Sequence, residues 1–321
     1  MSKTVKIWLI VSVSLVLVGG IIFTGAMAMS NWNIKKLSTS KYETNNYNIT
    51  DAFNRIYIDS STSDINIIPS EDGACRVVCY EQSNVKHEVS TVDGTLEIAE
   101  KDSRKWYEYI GINFNTPKIT VYLPESQYCA VSIKNDTGDI EISKELKFKS
   151  IDIMLSTGDV RAFASTDEDI SIVASTGKIL VENVTAGKVN AITTTGSITL
   201  TNVTCTGDIN ADVTTGSMNL TDITCTDLNS DGGTGDISLD NVIASGKFNI
   251  KRSTGDVEFN RCDAKELFIK TGTGDVKGSL ISEKVFITNT STGDIEVPKS
   301  VTGGLCEITT STGDIDIEIK Y

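Results

Sequence analysis

The chain has 321 residues and a formal net charge of -14, room for one or two ordinary domains or one elongated array. The surplus of acid argues against nucleic-acid binding, which needs clustered Lys and Arg to neutralise phosphates, and against resting on an anionic membrane surface. Thr, Ser, Asp, Ile, Val and Gly, the residues of strands and turns, dominate. Seven cysteines without CxxC spacing and one histidine, His87, argue against a zinc site.

Residues 1–6 read as a cytoplasmic tail. Ile7–Met29 follows, 23 residues without a charge, enough to span a bilayer, which needs about 20. Lys3 and Lys6 precede it and Lys35 and Lys36 follow, so the flanking charges nearly balance. The short N-terminal flank leaves the large remainder to be exported. Ala26-Met27-Ala28 also fits a signal-peptide cleavage site, but the length of the span favours an uncleaved anchor. Either way residues 30–321 are expected outside the cytoplasm, in a single-pass protein of the cell membrane. Residues 30–50 are polar and without periodicity, and read as a juxtamembrane linker.

Residues 51–133 contain strand-like runs without a fixed period: Arg55–Asp59, Cys75–Glu81, Gly94–Glu100 and Lys118–Leu123. Asp93-Gly94 is a strong turn signal. Trp106, Tyr107, Tyr109 and Phe114 concentrate here. The segment reads as a β-rich cap over the open end of an array, with a binding surface as the alternative. His87 has no recognisable nucleophile partner and reads as an exposed strand histidine.

Residues 134–321 carry the array. Ten Thr-Gly pairs place Gly138, Gly158, Gly177, Gly196, Gly216, Gly235, Gly255, Gly274, Gly293 and Gly313 at intervals of 19 or 20 residues, the mark of a solenoid. Two and four residues after each glycine the positions are apolar, as in Ile295 and Val297, with one exception at Gly278. The residues between are mostly polar, which is period-two alternation. A second apolar column lies seven residues before each glycine, from Ile151 and Ile170 to Phe286 and Cys306. Helix periodicity is absent. The expected fold is all-β: a single-stranded parallel β-solenoid with two short strands per coil. The last strand, Asp314–Tyr321, alternates with charged outward residues and reads as a protected edge.

The glycines read as structural corner residues, at which only a residue free to take positive φ serves. Seven are followed by aspartate: Asp139, Asp159, Asp236, Asp256, Asp275, Asp294 and Asp314. A calcium ladder would use the G-G-x-G-x-D nonapeptide and would not accept the interruption at Lys178, so a turn role is expected. No P-loop or dinucleotide fingerprint fits, because no helix follows these glycines. Cys205 and Cys225 occupy one column and are either a bridge or two small core residues. Cys306 takes an inward position and reads as an inert core thiol.

The TGD[IV] repeat, with Ile119–Pro124, Val131–Ile142 and the glycine-less Ser61–Pro69 ahead of it, resembles a bacterial putative-adhesin family of β-strand-repeat proteins, a domain-of-unknown-function family. The resemblance covers residues 50–321. It implies a surface-exposed, often membrane-anchored, non-enzymatic protein. No catalytic, cofactor-binding or metal-binding residue is expected, and no cofactor. The partners are the membrane, through the helix, and a surface ligand, protein or glycan. Two other roles compete: an accessory of envelope-stress signalling, and a polysaccharide-acting β-helix enzyme, which the uniform coils disfavour because they build no cleft.

Overall fold

The computed structural model describes residues 2–33, 40–109 and 115–321; Lys35, Lys36 and Phe114 lie outside them. The apolar run forms one helix, Lys3–Met29, started by Ser2, whose hydroxyl accepts from Val5 N at 3.4 Å. At about 1.5 Å per residue it is long enough to cross a bilayer, and Met27 is its one buried residue. The expected linker is partly strand, because Tyr42–Ile49 pairs antiparallel with Cys75–Gln82.

Most of the described residues after the helix join one stack of parallel coils. Successive coils pair at an offset of one repeat, as in Ile151↔Ile170, Val189↔Ile209 and Leu228↔Phe248. The inward columns are solvent-free: Ile153, Val160, Ile179, Val181, Ile198 and Ile237 are all buried. The fold is the expected parallel β-solenoid. Its coil has an additional bend, at Asn183, Asn202, Asp222, Asn241 and Arg261, which all have φ between 51° and 56°. Asn and Asp tolerate this left-handed region because their short side chains bond locally. Asn202 Nδ2 donates to Asn183 Oδ1 at 2.8 Å and Asn241 Nδ2 to Asp222 Oδ1 at 2.7 Å. In these five coils the bend divides the second strand into two short legs.

Spatial order departs from chain order at both ends. Gly304–Thr312 lies between Val257–Thr273 and Lys284–Thr292: Cys306 faces Leu267 on one side and Phe286 on the other. Likewise Ile315–Ile319 lies between Val276–Leu280 and Ile295–Glu296. The last coil of the chain is therefore inserted under the one before it. The expectation that Asp314–Tyr321 forms the exposed edge is corrected: Ile315 is buried, and the edge is Lys284–Glu296, with Ile295 44% exposed. At the other end Arg55–Ser60 is sandwiched between Thr95–Asp102 and Gln127–Thr137. Antiparallel strands then close this end: Val85–Val92 on Thr95–Asp102, and Cys75–Gln82 on Lys118–Leu123.

Candidate functional site

The repeated corner is built alike in every coil. Its ten glycines have φ between 127° and 149°. A Cβ on any of them would sit 1.6–2.4 Å from a backbone oxygen of the adjacent coil. At Gly138 that oxygen belongs to Ser63, which therefore stands at the glycine position of the Arg55–Pro69 coil. The aspartate after the glycine has a defined task. Its Oδ1 accepts the backbone N–H of the next coil's equivalent residue at 2.8–3.0 Å, running Asp64, Asp139, Asp159 and again Asp236, Asp256, Asp275, Asp314 to Asp294. Asp159 serves Lys178 in the same way. Lys178 interrupts the ladder without breaking the corner, because only acceptance from its own neighbour is lost. Stacked carboxylates whose inner oxygens are committed to backbone bonds are poorly placed to converge on a cation. Arg161, beside Asp139 and Asp159, and Lys277, beside Asp275, offset the repulsion.

The one buried polar constellation among the described residues that combines histidine, cysteine and carboxylate lies at the capped end. His87 is 3% exposed, which corrects the expected exposed strand histidine. Its Nδ1 lies 2.7 Å from Glu81 Oε2, and its backbone N–H donates to the same oxygen at 2.7 Å. Asn45 Nδ2 donates to Glu81 Oε1 at 2.7 Å. On the other side His87 Nε2 is 3.2 Å from Ser60 Oγ and 3.9 Å from Glu100 Oε2. Burial pushes the Glu81 carboxyl up, but the hydrogen bonds from His87 and Asn45 outweigh it and hold the group below its ordinary range. Cys79 completes a Cys79–Glu81–His87 group whose ligand atoms lie within 4.8 Å of one another. Burial, with Glu81 adding to it, pushes that thiol up to about 12.

Ser60, His87 and Glu81 stand in the order of a nucleophile, base and orienter. Two features disfavour nucleophilic chemistry at this group. The N–H of Ser61, the nearest candidate oxyanion donor, is bound to Glu100 Oε2 at 2.9 Å. The narrow cavity between Ser61, Glu81 and Arg104 holds about 30 Å³, space for water, and the wider hollow of about 410 Å³ that reaches His87 opens on the side of Tyr47, Lys86 and Lys101. The cluster is a satisfied polar core that locks three cap strands to the first coil. Alternation in Cys75–Gln82 carried the signal that Glu81 points inward, since Cys75, Val77 and Cys79 share its parity.

All seven cysteines are free thiols. Cys205 and Cys225 are buried small residues, with burial pushing each up to about 12, as it does Cys306. A last feature is exposed: the short turn Trp106–Tyr109, with Arg104 lying over the Tyr109 ring at 4.4 Å.

Solved structures similar to this chain include a putative adhesin from Bacteroides fragilis, 18% identical over 87% of this chain and 97% of that one, with a TM-score of 0.33. A putative lipid binding protein from Parabacteroides distasonis is 14% identical over 88% of this chain and 98% of its own, with a TM-score of 0.43. A putative cell adhesion protein from Clostridium sporogenes is 12% identical over 87% and 100%, with a TM-score of 0.22. No curated protein matches the chain. The Toastrack DUF4097 family model matches residues 53–214 and 207–321, nearly the whole stack of coils with its cap. The chain belongs to the Toastrack DUF4097 family.

Proposed function

We propose that this protein is a non-enzymatic, membrane-anchored rod that presents a surface-binding, adhesin-like face outside the cytoplasm. Residues 1–6 form the inner tail, 7–29 the anchor, 30–50 the connection, and 51–321 the exported cap and solenoid. The observation that carries the reading is the pairing of an exposed apolar helix of 27 residues with a rod whose corner groups are committed to coil-to-coil hydrogen bonds. A ligand, protein or glycan, meets a sheet face or an edge of such a rod, since regular coils present no deep cleft.

Two measurements on the full chain test this. An epitope tag after Tyr321 should be labelled on intact cells; labelling only after permeabilisation would overturn the exported orientation. The protein in nanodiscs, applied to glycan and matrix arrays, should bind and leave the ligand intact. Cleavage of a polysaccharide would replace the reading with an enzyme. Capture of one discrete membrane protein, with no glycan or matrix binding, would replace it with a signalling accessory.

A further inference from the structure

The chain has three tryptophans, Trp8, Trp32 and Trp106. Trp8 lies near the start of the apolar helix and Trp32 three residues beyond its end. Those are the two levels at which a spanning helix meets the headgroups, where tryptophan and tyrosine concentrate. The third tryptophan, Trp106, is far away in sequence. Trp106 is 78% exposed, Tyr107 50% and Tyr109 58%, three exposed aromatic rings within four residues.

These rings are held in place. Trp106 packs edge-on against Tyr107 at 5.9 Å. Tyr109 donates to Asp102 Oδ2 at 2.9 Å beneath the Arg104 guanidinium. Lys105 N donates to Glu108 Oε2 at 2.8 Å. The turn is therefore a preformed aromatic knuckle braced by the Arg104–Asp102 pair, a shape that burial in the solenoid does not explain.

Its position follows from the hydrogen bonds of one hairpin. Ser83 N donates to Lys41 O at 2.9 Å, which fastens the chain arriving from the helix. The adjacent Asn84 accepts from Ser103 N at 2.9 Å and donates through Nδ2 to Glu108 Oε2 at 3.4 Å. The same two-residue turn thus holds both the incoming chain and the aromatic knuckle. Twelve residues, 30–41, separate Met29 from Tyr42, and their reach is at most about 40 Å. The knuckle is tethered to the membrane side of the rod.

We infer that the Arg104–Tyr109 turn is a second membrane contact, in which Trp106, Tyr107 and Tyr109 enter the headgroup layer and Lys105 meets lipid phosphate. The inference rests on the anchored orientation given above. The occupant is the outer surface of the lipid bilayer. Amphipathic rings fit the boundary between acyl chains and water. Asp102 and Glu108 balance Arg104 and Lys105, Arg104 being paired directly with Asp102, so the turn is locally near neutral on a rod whose net charge of -14 otherwise repels anionic surfaces. Bound at two points, the rod would stand at a set angle to the membrane instead of pivoting on a flexible linker.

Three full-length variants test it, each keeping one tryptophan and carrying Phe at the other two: Trp8→Phe/Trp32→Phe, Trp8→Phe/Trp106→Phe and Trp32→Phe/Trp106→Phe. They are reconstituted in phosphatidylcholine vesicles containing lipids brominated near the headgroup or deep in the acyl chain. Trp106 should emit at shorter wavelength in vesicles than in detergent, and should be quenched more by shallow bromines than by deep ones. Quenching of Trp8 or Trp32 with an unquenched Trp106 would overturn the membrane contact and leave the anchor standing. Absence of quenching at all three would overturn the anchor itself. A blue shift of Trp106 produced by soluble oligosaccharide and not by vesicles would assign the knuckle to glycan binding and likewise overturn the inference.

Discussion

At the scale of single residues, the repeat is explained by what a Cβ would strike. Gly196 has φ 149° and its Cβ would lie 1.9 Å from Gly177 O. Gly73 has φ 69° with nothing within 4 Å. Gly73→Ala should therefore cost only the left-handed penalty of about 1–2 kcal/mol. Gly196→Ala must in addition push adjacent coils apart, and its midpoint in urea should fall much further; equal shifts would show that close approach does not govern the corner. A second residue-scale case lies inside the rod. Arg252 is buried in an inward column and reaches past Gly232, whose Cβ would overlap its Nη1 at 1.4 Å, to donate to Val213 O at 2.8 Å. Its Nε and Nη2 have no partner, and desolvation lowers its affinity for its proton against the pull of Asp212, Asp231 and Asp236. A buried cation so poorly compensated is a weak contributor to stability. Arg252→Met, which keeps length and removes charge, should leave thermal stability unchanged or raise it, and a large drop would mean that the Val213 bond outweighs desolvation. The pairing of Arg252 with a glycine one coil earlier was written in the sequence as Asp231-Gly232-Gly233, but only the register identifies the space.

At the scale of elements, the cap is held by the polar knot around Glu81 as well as by apolar burial. Glu81 has its folded pKa held below the ordinary carboxylate value. A depressed carboxyl adds stability above its unfolded pKa, and that stability is lost as pH falls through the folded value. The cap should therefore loosen on acidification below about pH 4, the ordinary range for Glu. Glu81→Gln should remove part of that acid dependence and lower stability at neutral pH by roughly 2–3 kcal/mol, the worth of hydrogen bonds to a charged group. Hydrogen exchange in Cys75–Val92 reads both effects, and an unchanged acid profile in the variant would sink the assignment. Periodicity made the solenoid strands legible because every coil repeats one inward column. It did not reveal the cap cluster, because Ser60, Glu81, His87 and Glu100 come from four separate strands. The additional bend was within reach: Asn183, Asn202, Asp222, Asn241 and Arg261 keep the interval of 19 or 20 residues. Their polar side chains read as ordinary strand exterior, which hid the left-handed backbone beneath.

At the scale of the whole molecule, an array couples each coil only to its neighbours, so position in the stack sets stability, and the two orders differ here. Nothing in the local pattern distinguishes the coil of Gly293 from that of Gly313, since both read STGDI; their exchange depends on the path of Ile281–Gly303. The inserted coil is the better packed, with Cys306, Ile308, Ile315 and Ile317 buried, whereas Ile287 and Ile295 are exposed. The edge strand Lys284–Thr292 has no charge between Val285 and Thr292 and pairs on one side alone, so fraying should begin there. Ile315→Ala should cost about 2–5 kcal/mol, the range for emptying a packed core site, while Ile295→Ala should cost less than about 1 kcal/mol, as at a surface position. Native-state hydrogen exchange gives the same order without mutation: amides of Ile315–Ile319 should outlast those of Lys284–Thr292 despite lying at the end of the chain. If the final residues exchanged first, the stack would follow the sequence, with each coil laid on the one before.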